Sequence, residues 1–189
     1  MSATEPRHLR ADARRNRERI VEAARVVLGR DGPSAQMDDV AREAGVGVGT
    51  VYRHFPTKEV LVGEIIRAKF RHHVEVARRW EATAEGWAAF EGMVREVVAA
   101  MATDASQQRL MWTDDDRALI AAEEERLELV AVVRRIIERA QAAGELRADF
   151  GVDDMPTIMC GLGGAMSTHS RFTQGWERLV GFILDGLRT

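Results

Sequence analysis

Apolar residues return every three or four positions through most of this chain, with polar residues between them, the pattern of amphipathic helices packed by one face. Ile20, Ala23, Ala24, Val27 and Leu28 form the inward stripe of a first helix, roughly Asp12 to Arg30, which Asp31-Gly32-Pro33 stops. Met37, Val40, Ala41 and Ala44 give a second, shorter helix one apolar face. Gly45 stands where a helix end needs a left-handed residue, and Val46 packs the turn that follows. From Val48 to Phe55 a third helix combines buried anchors, Val51 and Phe55, with the hydrogen-bonding groups of Thr50, Tyr52, Arg53 and His54. Thr57 is placed to cap a long fourth helix that runs to about Trp80, with Glu59 at its positive end and Leu61, Ile65 and Ala68 on its buried face.

Beyond Trp87 the helices lengthen. Trp87, Phe90, Val94, Val97 and Met101 mark one, and Leu110 to Trp112 a short apolar segment ended by Thr113 and three aspartates. A longer helix spans Leu119 to Ala143 and stops at Gly144. Asp153 or Asp154 caps the next, with Pro156 in its first turn, and a last helix near Gln174 to Leu187 repeats Trp176, Leu179, Val180, Ile183 and Leu187. The expected fold is all-α, with about nine helices. Residues 1–58 form an arm and a three-helix head, and residues 59–189 a larger helical body.

Composition supports this picture and excludes several alternatives. A chain of 189 residues with 46% hydrophobic content can bury a core, and four prolines and one tyrosine fit helices better than sheet. Cys160 is the only cysteine, so neither an intramolecular disulfide nor a thiolate zinc cluster can form. The first residues carry arginines without an apolar stretch, and no apolar run is long enough for a bilayer, so a cytoplasmic protein without membrane contact is expected.

The second and third helices, joined by a glycine turn, form a helix-turn-helix whose second helix can enter a DNA major groove. The overall charge of −3 disfavours a nucleic-acid partner at first sight. Its distribution reverses that: residues 1–58 hold 11 Lys or Arg against 8 Asp or Glu, and the rest 16 against 22. The basic end is the one with the helix-turn-helix, as expected when only that end meets phosphate. Arg7, Arg10, Arg14, Arg15 and Arg17 are read as a flexible arm able to add phosphate contacts.

The stretch AREAGVGVGTVYRHFPTKEVL resembles the N-terminal region of the tetracycline-repressor (TetR) family of transcriptional regulators, over about residues 14 to 65. The resemblance implies a homodimer that binds a palindromic operator in double-stranded DNA and is released by a small ligand in the C-terminal body. It assigns Tyr52 and His54 to backbone phosphates, Thr50 to a phosphate or a base edge, and Lys58 to a phosphate reinforced by the amides of the fourth helix. Arg53 is the candidate for direct readout, since a guanidinium can hold guanine O6 and N7 together. Gly49 belongs to the same surface, and Val48 replaces a common lysine and can pack on a thymine methyl. Gln36 stands where many relatives have a hydroxyl that caps the second helix and holds a phosphate, and Gln caps poorly.

In the body, Met93, Val97, Met101, Met111, Trp112, Met159, Met166 and His169 are candidates to line a cavity for a small apolar or amphipathic ligand, with His73 beside them; for any single one of them a place in the core is the commoner role. Gly161, Gly163 and Gly164 fall inside a helix, where each costs about 1 kcal/mol against alanine, and close approach of another helix is one rationale. In the family the last two helices pair with their copies, which makes Met155, Leu162, Gly164, Trp176, Leu179, Val180, Ile183 and Leu187 the expected dimer surface. Cys160 is expected in the core. His72 and His73 are adjacent on a helix and diverge by about 100°, so no metal site and no cofactor is expected. A regulator of the same fold with no small-molecule effector is the alternative. An enzyme is disfavoured because no nucleophile, base and acid set appears.

Overall fold

The computed structural model describes residues 5–103, 120–167 and 175–189. Among them are eight α-helices: α1 (Glu5–Asp31), α2 (Met37–Ala44), α3 (Val48–His54), α4 (Lys58–Thr83), α5 (Gly86–Thr103), α6 (Glu123–Ala142), α7 (Met155–Ser167) and α8 (Trp176–Leu187). Two short 3₁₀ turns, Gly32–Ser34 and Val152–Asp154, join α1 to α2 and precede α7. The chain is all-α over these residues, as its periodicity requires. The short helix expected at Leu110 to Trp112 lies outside the described residues. The first helix begins at Glu5, so the five N-terminal arginines belong to α1 rather than to a flexible arm.

The termini follow local chemistry. Gly45 ends α2 in the left-handed region at φ 64°, and its amide and that of Val46 bond back to carbonyls of that helix. Thr57 caps α4 by accepting from the Val60 amide at 3.4 Å. Gln36 does not cap α2, because its Nε2 donates to the Ser34 carbonyl at 2.8 Å instead. Asp38 and Asp39 sit in the first turn of α2, where a negative charge suits the helix dipole.

Two apolar cores result. The first unites Ile20, Ala24 and Val27 of α1 with Val40 and Ala41 of α2, Val51 and Phe55, and Leu61, Ile65 and Ile66 of α4. The second packs Val76 and Ala77 of α4 against Phe90, Val94 and Val98 of α5, Val132, Ile136 and Ile137 of α6, Leu162 of α7, and Val180 and Leu184 of α8. Helix α4 contributes to both and so joins head and body. It meets α5 at Gly92, where a Cβ would come 2.4 Å from the Trp80 ring, so a larger residue would displace that ring. The Trp80 Nε1–H donates to Glu96 at 2.9 Å, and Arg79 pairs with the same carboxylate. These bonds hold the Glu96 carboxyl below its usual pKa, Arg79 contributing most. No helix among the described residues is long and apolar enough to cross a membrane.

Candidate nucleic-acid interface

Helix α3 is held from behind and open in front. Val51 and Phe55 are fully buried in the head core. At 100° per residue, Gly49 and Arg53 project away from these anchors, and Tyr52 and Val48 continue that face round to the edge of the buried side. All four are exposed, Val48 at 43% and Tyr52 at 48%. Thr50 and His54 lie together on the other side of Arg53 and are half-buried, the His54 ring standing 6.4 Å from that of Phe55. A Cβ added at Gly47 or at Gly49 would meet nothing within 4 Å, so this face has room for a partner's backbone.

Of the residues read from the sequence as DNA contacts, Val48, Gly49, Tyr52 and Arg53 thus come together on one surface. Gln36 is exposed but its amide is engaged with Ser34. Lys58 is half-buried, and its Nζ donates to the Ala35 carbonyl at 2.7 Å. That bond ties the start of α4 to the loop before α2 and fixes the angle between the two helix N-termini.

Two residues with a part in the site carry no signal in the motif. Arg17 of α1 lies over the Phe55 ring, 4.7 Å from its centroid, at the end of α3. Arg19 donates to the Ala44 carbonyl at the end of α2, so two α1 arginines brace the two helices of the motif. Arg14 pairs with Glu18 and Arg15 with Asp12 along the exposed side of α1. The α1 periodicity marks its apolar stripe but says nothing about which of its arginines turn back onto the motif.

In the body, the residues read as ligand-lining divide. Met93 and Met101 are buried, and Val97, Met159 and Met166 are half-buried beside the second core. Met111, Trp112 and His169 lie outside the described residues. Among the described residues, one surface groove of about 330 Å³ lies beside Arg147, Phe150, Thr157 and Leu187, and another of about 340 Å³ beside Arg17, Thr57, Glu64 and Arg67. None of the expected ligand residues lines either groove.

The residues read as dimer surface also divide. Leu162 and Val180, each 1% exposed, are packed inside the protomer and have no outward face to offer a second copy. Met155, Gly164, Trp176, Ile183 and Leu187 are half-buried, and Leu179 is exposed. Phe182, missed by the periodic reading, is 63% exposed on α8. Cys160, expected in the core, is half-buried and free. Glu123 pairs with Arg126, and Glu125 lies within ion-pair distance of Arg67 and Arg71. Among the described residues no three His, Cys, Asp or Glu side chains converge as metal ligands would.

Residues 20–65 match the family of bacterial regulatory proteins of the tetR type, and residues 83–189 match the C-terminal domain of SbtR-like transcriptional regulators. Over 60 residues, 31% of this chain, the sequence is 40% identical to an HTH-type transcriptional regulator of Staphylococcus aureus. The match spans about a third of such curated relatives, 32% of that protein's length. The TetR transcription regulatory protein from Mycobacterium vanbaalenii is similar throughout, 34% identical, with 96% of this chain and 99% of that one covered at a TM-score of 0.68. The transcriptional regulator FadR from Bacillus subtilis, solved in complex with stearoyl-CoA, shares the fold at 16% identity and a TM-score of 0.70, over 90% of this chain and 98% of that one. A helix-turn-helix with an open, basic second helix, on a helical body matched to its last residue, places this chain in the TetR family of DNA-binding transcriptional regulators, and not among enzymes.

Proposed function

We propose that this regulator is a homodimeric repressor that binds an inverted-repeat operator through α3 and is released by a small apolar or amphipathic molecule held in its body. The observation that carries the reading is the exposed arc of Val48, Gly49, Tyr52 and Arg53, backed by the buried anchors Val51 and Phe55. Arg53 reads a base, with Val48 and Thr50 beside it, while Tyr52, His54 and the amides at the start of α4 near Lys58 hold phosphates. Residues 1–58 act as the DNA-binding part and residues 59–189 as the ligand and dimer part.

Dimerisation is supported by the apolar side chains that α7 and α8 leave uncovered: Leu179 and Phe182 are exposed, and Met155, Ile158, Trp176 and Ile183 only half-buried. Two copies so joined set their α3 helices about 34–36 Å apart, one turn of DNA. Release needs little energy, since about 1.4 kcal/mol of coupling lowers operator affinity tenfold. The stearoyl-CoA held by a protein of the same fold supports a ligand with a long apolar part. A second reading, a regulator with no small-molecule effector, gains from the burial of Met93 and Met101 in close helical packing.

Selection of bound duplexes from random DNA tests the head and the symmetry together. Inverted repeats are the expected product, and a single asymmetric site would overturn the dimeric reading. A thermal-shift screen of acyl-CoA thioesters and other amphipathic molecules separates the two effector readings.

A further inference from the structure

The turn that leads into α6 packs against the end of the molecule that carries the head. Ala122 is fully buried and belongs to the core that unites α1 to α3 with the first half of α4. Among the described residues, no other member of the head core lies beyond α4. Arg67 of α4 grips the preceding carbonyl, donating to Ala121 from both Nε (3.1 Å) and Nη2. At the start of α6, Glu125 lies 3.5 Å from Arg67 Nε and 3.7 Å from Arg71 Nη1. The same two arginines reach Glu64 at 3.2 Å and 2.9 Å, and Glu64 also takes Arg17 Nη2 at 2.7 Å. Arg17 then covers Phe55, the residue that ends α3. An unbroken set of contacts therefore joins the first turn of α6 to the end of the recognition helix.

This cluster is poorly suited to stability alone. Its carboxylates are only 12% and 17% exposed, and removing such charges from water offsets most of the attraction between them. What guanidinium forks supply is direction, because their planar donors fix the angle as well as the distance of what they hold. Ala122 adds a steric constraint: in a close-packed core, α6 cannot slide without either moving the head or opening a void.

We infer that the Ala121–Glu125 turn sets the orientation of the DNA-reading head, with Glu64, Arg67 and Arg71 as positioning residues that carry its placement to α3. The inference rests on the reading that two heads meet two half-sites. The test uses the full chain and the duplex recovered by selection, resynthesised with its half-sites one or two base pairs nearer or farther apart. Glu125→Gln removes a charge without changing size, and Arg67→Met removes the grip on Ala121. The unaltered protein is expected to reject wrong spacings about tenfold or more, and each variant less than about threefold. Base preference within a half-site and thermal stability stay close to those of the unaltered protein. Variants that lose affinity equally at every spacing, or that keep the full spacing preference, would overturn the inference. If the unaltered protein selects no inverted repeat, the dimeric reading is what fails. Hydrogen exchange then decides the linkage: Glu125→Gln should speed exchange of head amides in α1 to α3 and leave α5 unchanged, and unaltered head exchange refutes it. The same measurement decides for Glu125→Gln alone should Arg67→Met not fold.

Discussion

The Arg17 guanidinium lies over the Phe55 ring, 4.7 Å from its centroid, while its Nη2 donates to Glu64 at 2.7 Å. The first contact closes the head core over the end of α3, and the second anchors that lid to α4. Arg17→Met keeps the apolar stem and loses the cation. It should cost about 1 kcal/mol of stability and weaken operator binding without changing which bases are preferred. Thermal unfolding and binding to single-base operator variants check the two halves of this expectation.

Arg53 faces outward on α3, free of the core. Arg53→Ala should cost about 1–3 kcal/mol of operator binding and relax base preference at one position in each half-site. Repeating the DNA selection with the variant measures this directly. Uniform weakening across all positions would make Arg53 a phosphate contact instead.

Gly49 offers a way to separate folding from binding. A methyl group there meets nothing within 4 Å in the free protein, and Ala favours helix over Gly by about 1 kcal/mol. Gly49→Ala should therefore raise the unfolding temperature and lower DNA affinity, because the methyl occupies space that the DNA needs. A stabilised variant with full affinity would remove Gly49 from the interface.

His73 is buried on α4 with no hydrogen-bond partner at Nε2. Burial, aided by Lys69 and His72, pushes its pKa down to about 3. In the unfolded chain the imidazole takes up a proton near pH 6.5, and in the folded protein it does so only near pH 3. The unfolded state thus binds more protons across that interval, and stability falls as pH drops through it, by about 1.4 kcal/mol per unit once well below 6.5. His73→Phe should flatten this decline and cost little at neutral pH, since it removes an unsatisfied buried nitrogen. Chemical denaturation of both proteins at a series of pH values between neutrality and about pH 4 tests it; parallel curves would contradict the assignment.

Leu179 and Phe182 are the large apolar residues that α8 leaves exposed. Replacing both with Lys should convert a dimer to monomers in sedimentation equilibrium with little loss of protomer stability. The same substitutions at Leu162 and Val180 should unfold the body, because those side chains lie inside it.

The head was legible because each of its signals is local. Gly45 ends a helix, Val51 and Phe55 repeat at helical spacing, and the exposure of Gly49 and Arg53 follows from those anchors by geometry. The burial of Ala122 was not legible. Its place is set by contacts such as that between Arg67 and Ala121, 54 positions apart, and nothing in the residues beside it marks the head. The division of α8 was half legible for another reason. Trp176, Leu179, Val180, Phe182, Ile183, Leu184 and Leu187 make more than one face apolar, so periodicity alone cannot say which side turns inward. Packing settles it, with Val180 and Leu184 inward and Phe182 outward.

The seating of Trp80 on Gly92 makes α4 a lever with a fulcrum. Lys58 lies 22 residues before Trp80 on one continuous helix, about 33 Å away at 1.5 Å per residue. Pivoting the rod by about 5° at that fulcrum carries the far end about 3 Å, close to the step between neighbouring base pairs at 3.4 Å. Under the proposed two-headed binding, a tilt set beside Trp80 would therefore shift the head by nearly one step of the double helix.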